Sequence, residues 1–215
     1  HMRRHRQLCG CKGGSGGRLG CLGHGSDAKG FNEGQPGGNG DRDGVCDDPE
    51  GWEQKYGVDS LCYPVSLAHA LWRRTGRTSV FDDDVHAVLR TIVDQLRTEQ
   101  QHENSPYRFE RAGAIPTETL PRGGRGSAVA HTGMTWSGFR PSDDACTYGY
   151  NIPANLFAAQ ALRFLAEIAH EVLDDETLSS DALALSDELR AGVQEHGIVD
   201  GPAGEPLDAD EGDRR

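Results

Sequence analysis

Apolar side chains recur at helical spacing in four stretches of this chain, and no run alternates as a half-buried strand would. In DSLCYPVSLAHALWRRTG the residues Leu61, Val65, Ala68, Leu71 and Trp72 fall on one face. Pro64 fits a helix only in its first turn, where no intrahelical N–H is lost. The pattern therefore predicts a helix from about Cys62, with Asp59, Ser60 and Tyr63 at its mouth and Gly76 as its stop. The second stretch, SVFDDDVHAVLRTIVDQLRTEQQHE, carries an apolar stripe of Val85, Val88, Leu89, Ile92 and Leu96. It opens on Asp82, Asp83 and Asp84, which suit the positive end of the helix dipole. A third helix is predicted from about Pro153 to Val172. Its residues Phe157, Ala161, Phe164, Leu165, Ile168 and Val172 spread widely enough to be buried on more than one side. A fourth runs from Ser180 or Asp181 to His196, with Ser180 as N-cap and Gly197 as C-cap.

The fold class read from this pattern is all-α: two antiparallel helical hairpins joined by an aperiodic segment, Asn104 to Ile152. Loops of that length inside a compact domain are uncommon and usually functional. Three regions follow. Residues 1–47 are glycine-rich with almost no large apolar side chains, and are expected to be disordered or an extended arm. Residues 48–200 form the domain, and residues 201–215 an acidic, frayed tail.

Charge narrows the partners. The net charge is -12, yet residues 1–30 hold +5 from Arg3, Arg4, Arg6, Lys12, Arg18 and Lys29 against Asp27, which leaves -17 on the rest. So acidic a body argues against nucleic acid or an anionic membrane as partner. No apolar run is long enough to span a bilayer and no secretion signal opens the chain, so a cytoplasmic location is the expectation.

Two metal-like patterns lie in the glycine-rich region. Cys9, Cys11, Cys21 and His24 match no usual zinc spacing. Asn39, Asp41, Asp43, Gly44 and Glu50 satisfy the EF-hand loop spacing, but the upstream GFNEGQPGG cannot form the flanking helix, and a solvated acidic turn is the favoured reading. Cys46, Cys62 and Cys146 are widely separated and are expected as reduced thiols.

The chemistry concentrates in TWSGFRPSDDACTYGY. Trp136, Phe139, Tyr148 and Tyr150 offer flat apolar faces, while Arg140, Ser142, Asp143, Asp144 and, just beyond, Asn155 offer directed polar groups. A sugar matches that mixture, with a C–H face to stack on a ring and a rim of hydroxyls. Paired carboxylates also suit acid catalysis: if Arg140 holds one ionised, repulsion keeps a proton on the other. As plain turn and cap residues Asp143 and Asp144 have an equally ordinary explanation. His102 and Glu103 read as taking a buried hydrogen-bonding role rather than a catalytic one, and His69, His86, His170 and His196 as surface or packing residues.

Three segments, TGMTWSGFRPSDDACTYGYNIPANLFA, KYGVDSLCYPVSLAHALWRRTG and EQQHENSPYRFER, closely resemble glycoside hydrolase family 125, the metal-independent exo-acting α-mannosidases. The resemblance runs from about Asp48 to about Val199 and implies a partial (α/α)6 toroid. It also implies hydrolysis of terminal α-1,6-linked mannose with inversion, using neither metal nor other cofactor. The family's general acid is an aspartate of RPSDD, hence Asp143 or Asp144, and the substrate contacts implied are Asp59, Tyr63, Trp136, Arg140, Tyr150 and Asn155. Asp59 reads equally well as a helix cap.

The family's upstream motif resembling MWLRDS has no counterpart before Asp48, and the chain ends before the segment bearing the family's general base. Only two of the toroid's six hairpins are found. A fragment inactive alone, with self-association through exposed apolar helix faces, is therefore expected. The alternatives are another (α/α)6 carbohydrate-active enzyme, a non-catalytic metal-binding or interaction module, and a truncated gene product that does not fold.

Overall fold

A computed structural model describes residues 55–200 and 206–208. The glycine-rich region, with its cysteine and calcium-like patterns and Cys46, lies outside the described residues, as does most of the acidic tail.

Four long helices carry the fold: α1 (Val58–Thr75), α2 (Asp83–Glu99), α4 (Ile152–Glu171) and α5 (Glu176–Gly192). Between α2 and α4 the regular structure amounts to two 3-10 turns, His102–Asn104 and Pro116–Glu118, and one turn, α3 (Pro121–Gly124), whose Arg122 and Gly123 are left-handed. After α5 a π-turn, Val193–Gly197, leads into β1 (Ile198–Asp200), which pairs antiparallel with β2 (Pro206–Asp208). Among the described residues the fold is all-α but for this hairpin, which three-residue strands are too short to announce by alternation. Its second strand also orders part of the tail expected to fray.

α4 is the centre of the packing, lying between α5 and α1. Ala158, Ala159, Ala161, Ala166 and Ala169 are buried along it, and such short side chains let neighbouring backbones approach. Two α5 hydroxyls exploit that closeness: Ser186 Oγ donates to the Ala159 carbonyl (2.8 Å) and Ser179 Oγ to the Ala166 carbonyl (3.1 Å). α4 and α5 form the expected hairpin. α1, however, packs mainly on α4 and touches α2 little, so α1 and α2 do not form the other expected hairpin. Tyr63 and Leu67 on α1 and Leu156 on α4 remain exposed.

The helix ends follow local chemistry, with two corrections. Asp82 caps α2 by accepting from the Val85 N–H (3.0 Å), and Gly76 closes α1 at φ 68°, donating to the Trp72 carbonyl (2.7 Å). α1 begins at Val58, not near Cys62, so Pro64 sits inside it. The early turns persist because tertiary partners hold them: Val58 and Leu61 are buried, and the Val58 N–H donates to Ser137 Oγ (3.2 Å). α5 begins at Glu176, capped by Asp175 rather than Ser180. Asp175 Oδ1 accepts from the Leu178 N–H (3.0 Å), while Oδ2 accepts from His86 (2.7 Å) and Arg90 of α2.

The Leu178 N–H, then His86 and Arg90, hold the Asp175 carboxyl below its ordinary value, against an opposing effect of desolvation. A carboxyl depressed on folding adds stability that is present above its unfolded value and lost as pH falls through the folded one. Asp175→Ala is accordingly expected to cost about 1–2 kcal/mol near neutral pH. That deficit should shrink as pH drops below about 4, as measured by urea unfolding across a pH series.

Candidate active site

The paired aspartates sit on a tight hairpin loop. A bridge between Phe139 and Ala145 closes its base, the Arg140 N–H donates to the Asp144 carbonyl (2.9 Å), and the Asp143 N–H donates to the Arg140 carbonyl (2.9 Å). Pro141 presets the first corner of this turn, and Asp143 follows in the left-handed region at φ 63°. Hairpin loops of this length usually place glycine there, and aspartate is among the few other residues that tolerate it. Asp144 Oδ2 accepts two hydrogen bonds from within the loop, from Arg140 (3.1 Å) and from Ser142 Oγ (2.9 Å).

The start of α1 and the end of α2 hold the extended segment that feeds this loop. From the start of α1, the Tyr56 carbonyl accepts from the Gly138 and Phe139 N–H groups (3.1 and 3.0 Å), and Ser137 Oγ donates to the Phe139 carbonyl (2.9 Å). From the end of α2, the Glu99 carbonyl accepts from the Trp136 N–H (3.1 Å) and the Leu96 carbonyl from Thr135 Oγ1 (2.9 Å). Lys55 lies over the Phe139 ring, 5.3 Å from its centroid, and pairs with Glu118 (2.7 Å). On the far side of the loop, the Ala145 N–H donates to the Thr117 carbonyl (2.8 Å). The aspartate loop is thus an exposed tip on a buried, fully anchored stem.

This anchoring reassigns two of the residues expected at the substrate. Trp136 is 1% exposed, enclosed by His102, Tyr56 and Tyr107, and so presents no face to a sugar. Its position inside the aperiodic segment made it read as a surface platform, whereas the segment folds around it. Asn155 is fully buried and exchanges hydrogen bonds with the Thr135 backbone, Oδ1 accepting at 2.8 Å and Nδ2 donating at 3.0 Å. Phe139 is buried too, edge-on against Phe109.

The others lie nearer the surface. Arg140 is exposed, Asp143, Asp144 and Tyr150 are half-buried, and Tyr63 is exposed with its ring edge-on to Phe157 (5.1 Å). The Tyr150 hydroxyl donates to the Ala130 carbonyl, and burial pushes its phenol up. Asp59 is buried in the first turn of α1, where Gly57 holds the cap position. A β-carbon added at Gly57 would stand 2.9 Å from Asp59 Oδ1 and 3.5 Å from the Phe139 carbonyl at the base of the loop.

Outside the loop, Arg122 and then the Val129 N–H hold the exposed Glu103 carboxyl down at about 2. Cys62 and Cys146 are unbridged, and burial first, then Asp59, pushes the Cys62 thiol far up, which disfavours a nucleophilic role. Among the described residues no three His, Cys, Asp or Glu side chains gather as metal ligands, and no helix is long and apolar enough to cross a membrane.

Residues 28–213 match the family model of the metal-independent alpha-mannosidases, GH125. The chain belongs to glycoside hydrolase family 125. It is 44% identical to a metal-independent alpha-mannosidase of Streptococcus pneumoniae solved in a non-productive complex with alpha-1,6-mannobiose, with a TM-score of 0.71 over 74% of this chain and 38% of that one. It is also 32% identical over 165 residues to the meiotically up-regulated gene 157 protein of Schizosaccharomyces pombe, covering 70% of this chain and 31% of that protein. The chain thus spans about a third of the length of these two relatives, by the shares just given.

Several supporting residues had carried no signal of their own. Glu99 and Ser137 organise the stem, yet in sequence one is an ordinary helix glutamate and the other a small loop residue. Gly138 and Gly149 are each needed to admit the Trp136 ring.

Proposed function

We propose that this chain forms the acid-bearing wall of an inverting, exo-acting α-mannosidase that removes terminal α-1,6-linked mannose. The observation that carries the reading is the anchored loop from Arg140 to Asp144, in a chain that belongs to family 125. Asp143 is the proton donor in this reading. Asp144 Oδ2 already accepts from Arg140 and Ser142, so Asp144 acts as the acceptor that shapes the loop. Asp143 delivers its proton to the glycosidic oxygen as the bond from that oxygen to the anomeric carbon breaks. Water adds to the anomeric carbon from the opposite face and surrenders a proton to a general base.

An inverting base stands roughly 6.5–9.5 Å from the acid, leaving room for that water. Neighbours in one tight turn do not span a sugar ring in this way, so a separate segment supplies the base. Tyr63, Arg140, Asp59 and Tyr150 are the substrate contacts in this reading, with Trp136 and Asn155 as the frame behind them. The exposed Leu67 and Leu156 in this reading face the remaining helices of the toroid.

The isolated chain is expected to release no mannose from α-1,6-mannobiose. Joined to the base-bearing remainder of a family 125 domain, it is expected to release mannose with inverted anomeric configuration, followed by NMR of the fresh product. Turnover by the isolated chain would refute the division of acid and base. Retained configuration in the joined protein would refute the mechanism.

A further inference from the structure

The stem beneath the aspartate loop rests on a buried network that the proposed reaction does not use directly. Glu99, at the end of α2, is fully buried, and its carboxylate is surrounded by donors. Oε1 accepts from Ser105 Oγ (2.6 Å) and Gln95 Nε2 (3.1 Å), and Oε2 meets His102 Nδ1 at 2.6 Å. The other nitrogen of His102, Nε2, lies 2.7 Å from the Arg125 carbonyl. A carbonyl can only accept, so Nε2 carries a proton, and a second proton must lie between Nδ1 and the Glu99 carboxylate. The His102 ring then lies flat on the Trp136 indole, with centroids 3.5 Å apart and planes 6° from parallel.

Trp136 passes this order to the loop. Its backbone N–H is held by the Glu99 carbonyl, so one residue fixes the indole twice, by its main chain and through His102. Gly126, Gly138 and Gly149 close around the ring, where an added β-carbon would come within 2.8, 2.8 and 2.4 Å of it. Gly138 and Gly149 flank the aspartates in sequence, so the ring that they enclose sets the span of the stem.

We propose that Glu99 and His102 are positioning residues for the proton donor: the proton shared between them clamps Trp136, and Trp136 sets the register of the stem carrying Asp143. The inference rests on the reading of that loop as the acid loop, but its first test does not require activity. Glu99→Gln keeps the size of the side chain and an acceptor for Ser105, while its amide would donate to Nδ1 and displace the shared proton.

The full chain labelled with 15N-histidine is expected to show two slowly exchanging ring protons on His102, assigned by their loss in His102→Gln. In Glu99→Gln the Nδ1 proton should vanish, and amide exchange at Trp136, Ser137 and Phe139 should quicken at least tenfold while α4 and α5 keep their protection. A bare Nδ1 in the unaltered chain overturns the proposal. So does a Glu99→Gln chain whose exchange at residues 136–139 is unchanged, or quickens equally across α4 and α5, the mark of general destabilisation. In the joined mannosidase, Glu99→Gln is expected to lower kcat about tenfold with KM held, and an unchanged kcat overturns the positioning role. If the unaltered joined protein shows no mannosidase turnover, the reaction assignment fails, while the exchange result still decides the clamp.

Discussion

Asp143→Asn in the joined mannosidase is expected to lower turnover of an α-mannoside with a poor leaving group about 10²–10⁴-fold, the usual contribution of a placed general acid. Asparagine keeps the size of the side chain and tolerates the left-handed backbone at φ 63°, so the loop should keep its shape while losing the proton. Asp144→Asn is expected to cost less, because its amide oxygen can still accept from Arg140 and Ser142. A leaving group that departs without protonation offers a sharper check. Hydrolysis of an activated aryl mannoside should suffer far less from Asp143→Asn than hydrolysis of α-1,6-mannobiose. If Asp144→Asn proves the more damaging change, the donor is Asp144. If neither matters, the loop is not the acid site.

Trp136→Ala is expected to have the largest effect on stability, about 3–5 kcal/mol. Set against a total of about 5–15 kcal/mol for an ordinary domain, such a loss would leave much of the protein unfolded on warming. The ring is 1% exposed and stacked by His102, and its Nε1 is buried with no hydrogen-bond partner among the described residues. Packing therefore outweighs an unsatisfied donor at this site. The glycine cage provides an internal control. Gly149→Ala would set a β-carbon 2.4 Å from Trp136 Cδ1 and 2.5 Å from Val129 Cγ1, and should itself destabilise strongly. In a Trp136→Ala background the first clash is gone, so the two losses should sum to less than their separate values in a denaturant-unfolding cycle. Additive losses would mean that Gly149 serves some end other than admitting the indole.

Helices, caps and turns follow short-range rules, and they were the most legible features. The stripe from Val85 to Leu96, the acidic start of α2, the left-handed stop at Gly76 and the many-sided burial of α4 all lie where periodicity places them. The start of α1 was misplaced because Pro64 argues locally against an interior position, while the cost is borne by contacts made with Ser137, some eighty residues away in the chain (|i−j| = 79). The cap of α5 was misplaced by a similar margin: Asp175 is chosen over Ser180 by His86 and Arg90, residues of a different helix.

The sequence by itself determined the helical class, the aperiodic segment between α2 and α4, and the motif that joins this chain to family 125, because each depends on residue types at fixed short separations. Only the tertiary structure decided that Trp136 and Asn155 are buried beneath the aspartate loop, and that α1 packs on α4 rather than α2. It alone showed Arg140 and Ser142 donating to Asp144 Oδ2. Burial and hydrogen-bond partnership depend on which distant segments meet. No periodicity along the chain encodes the meeting of Glu99, His102 and Trp136, and that contact holds the aspartate loop in place.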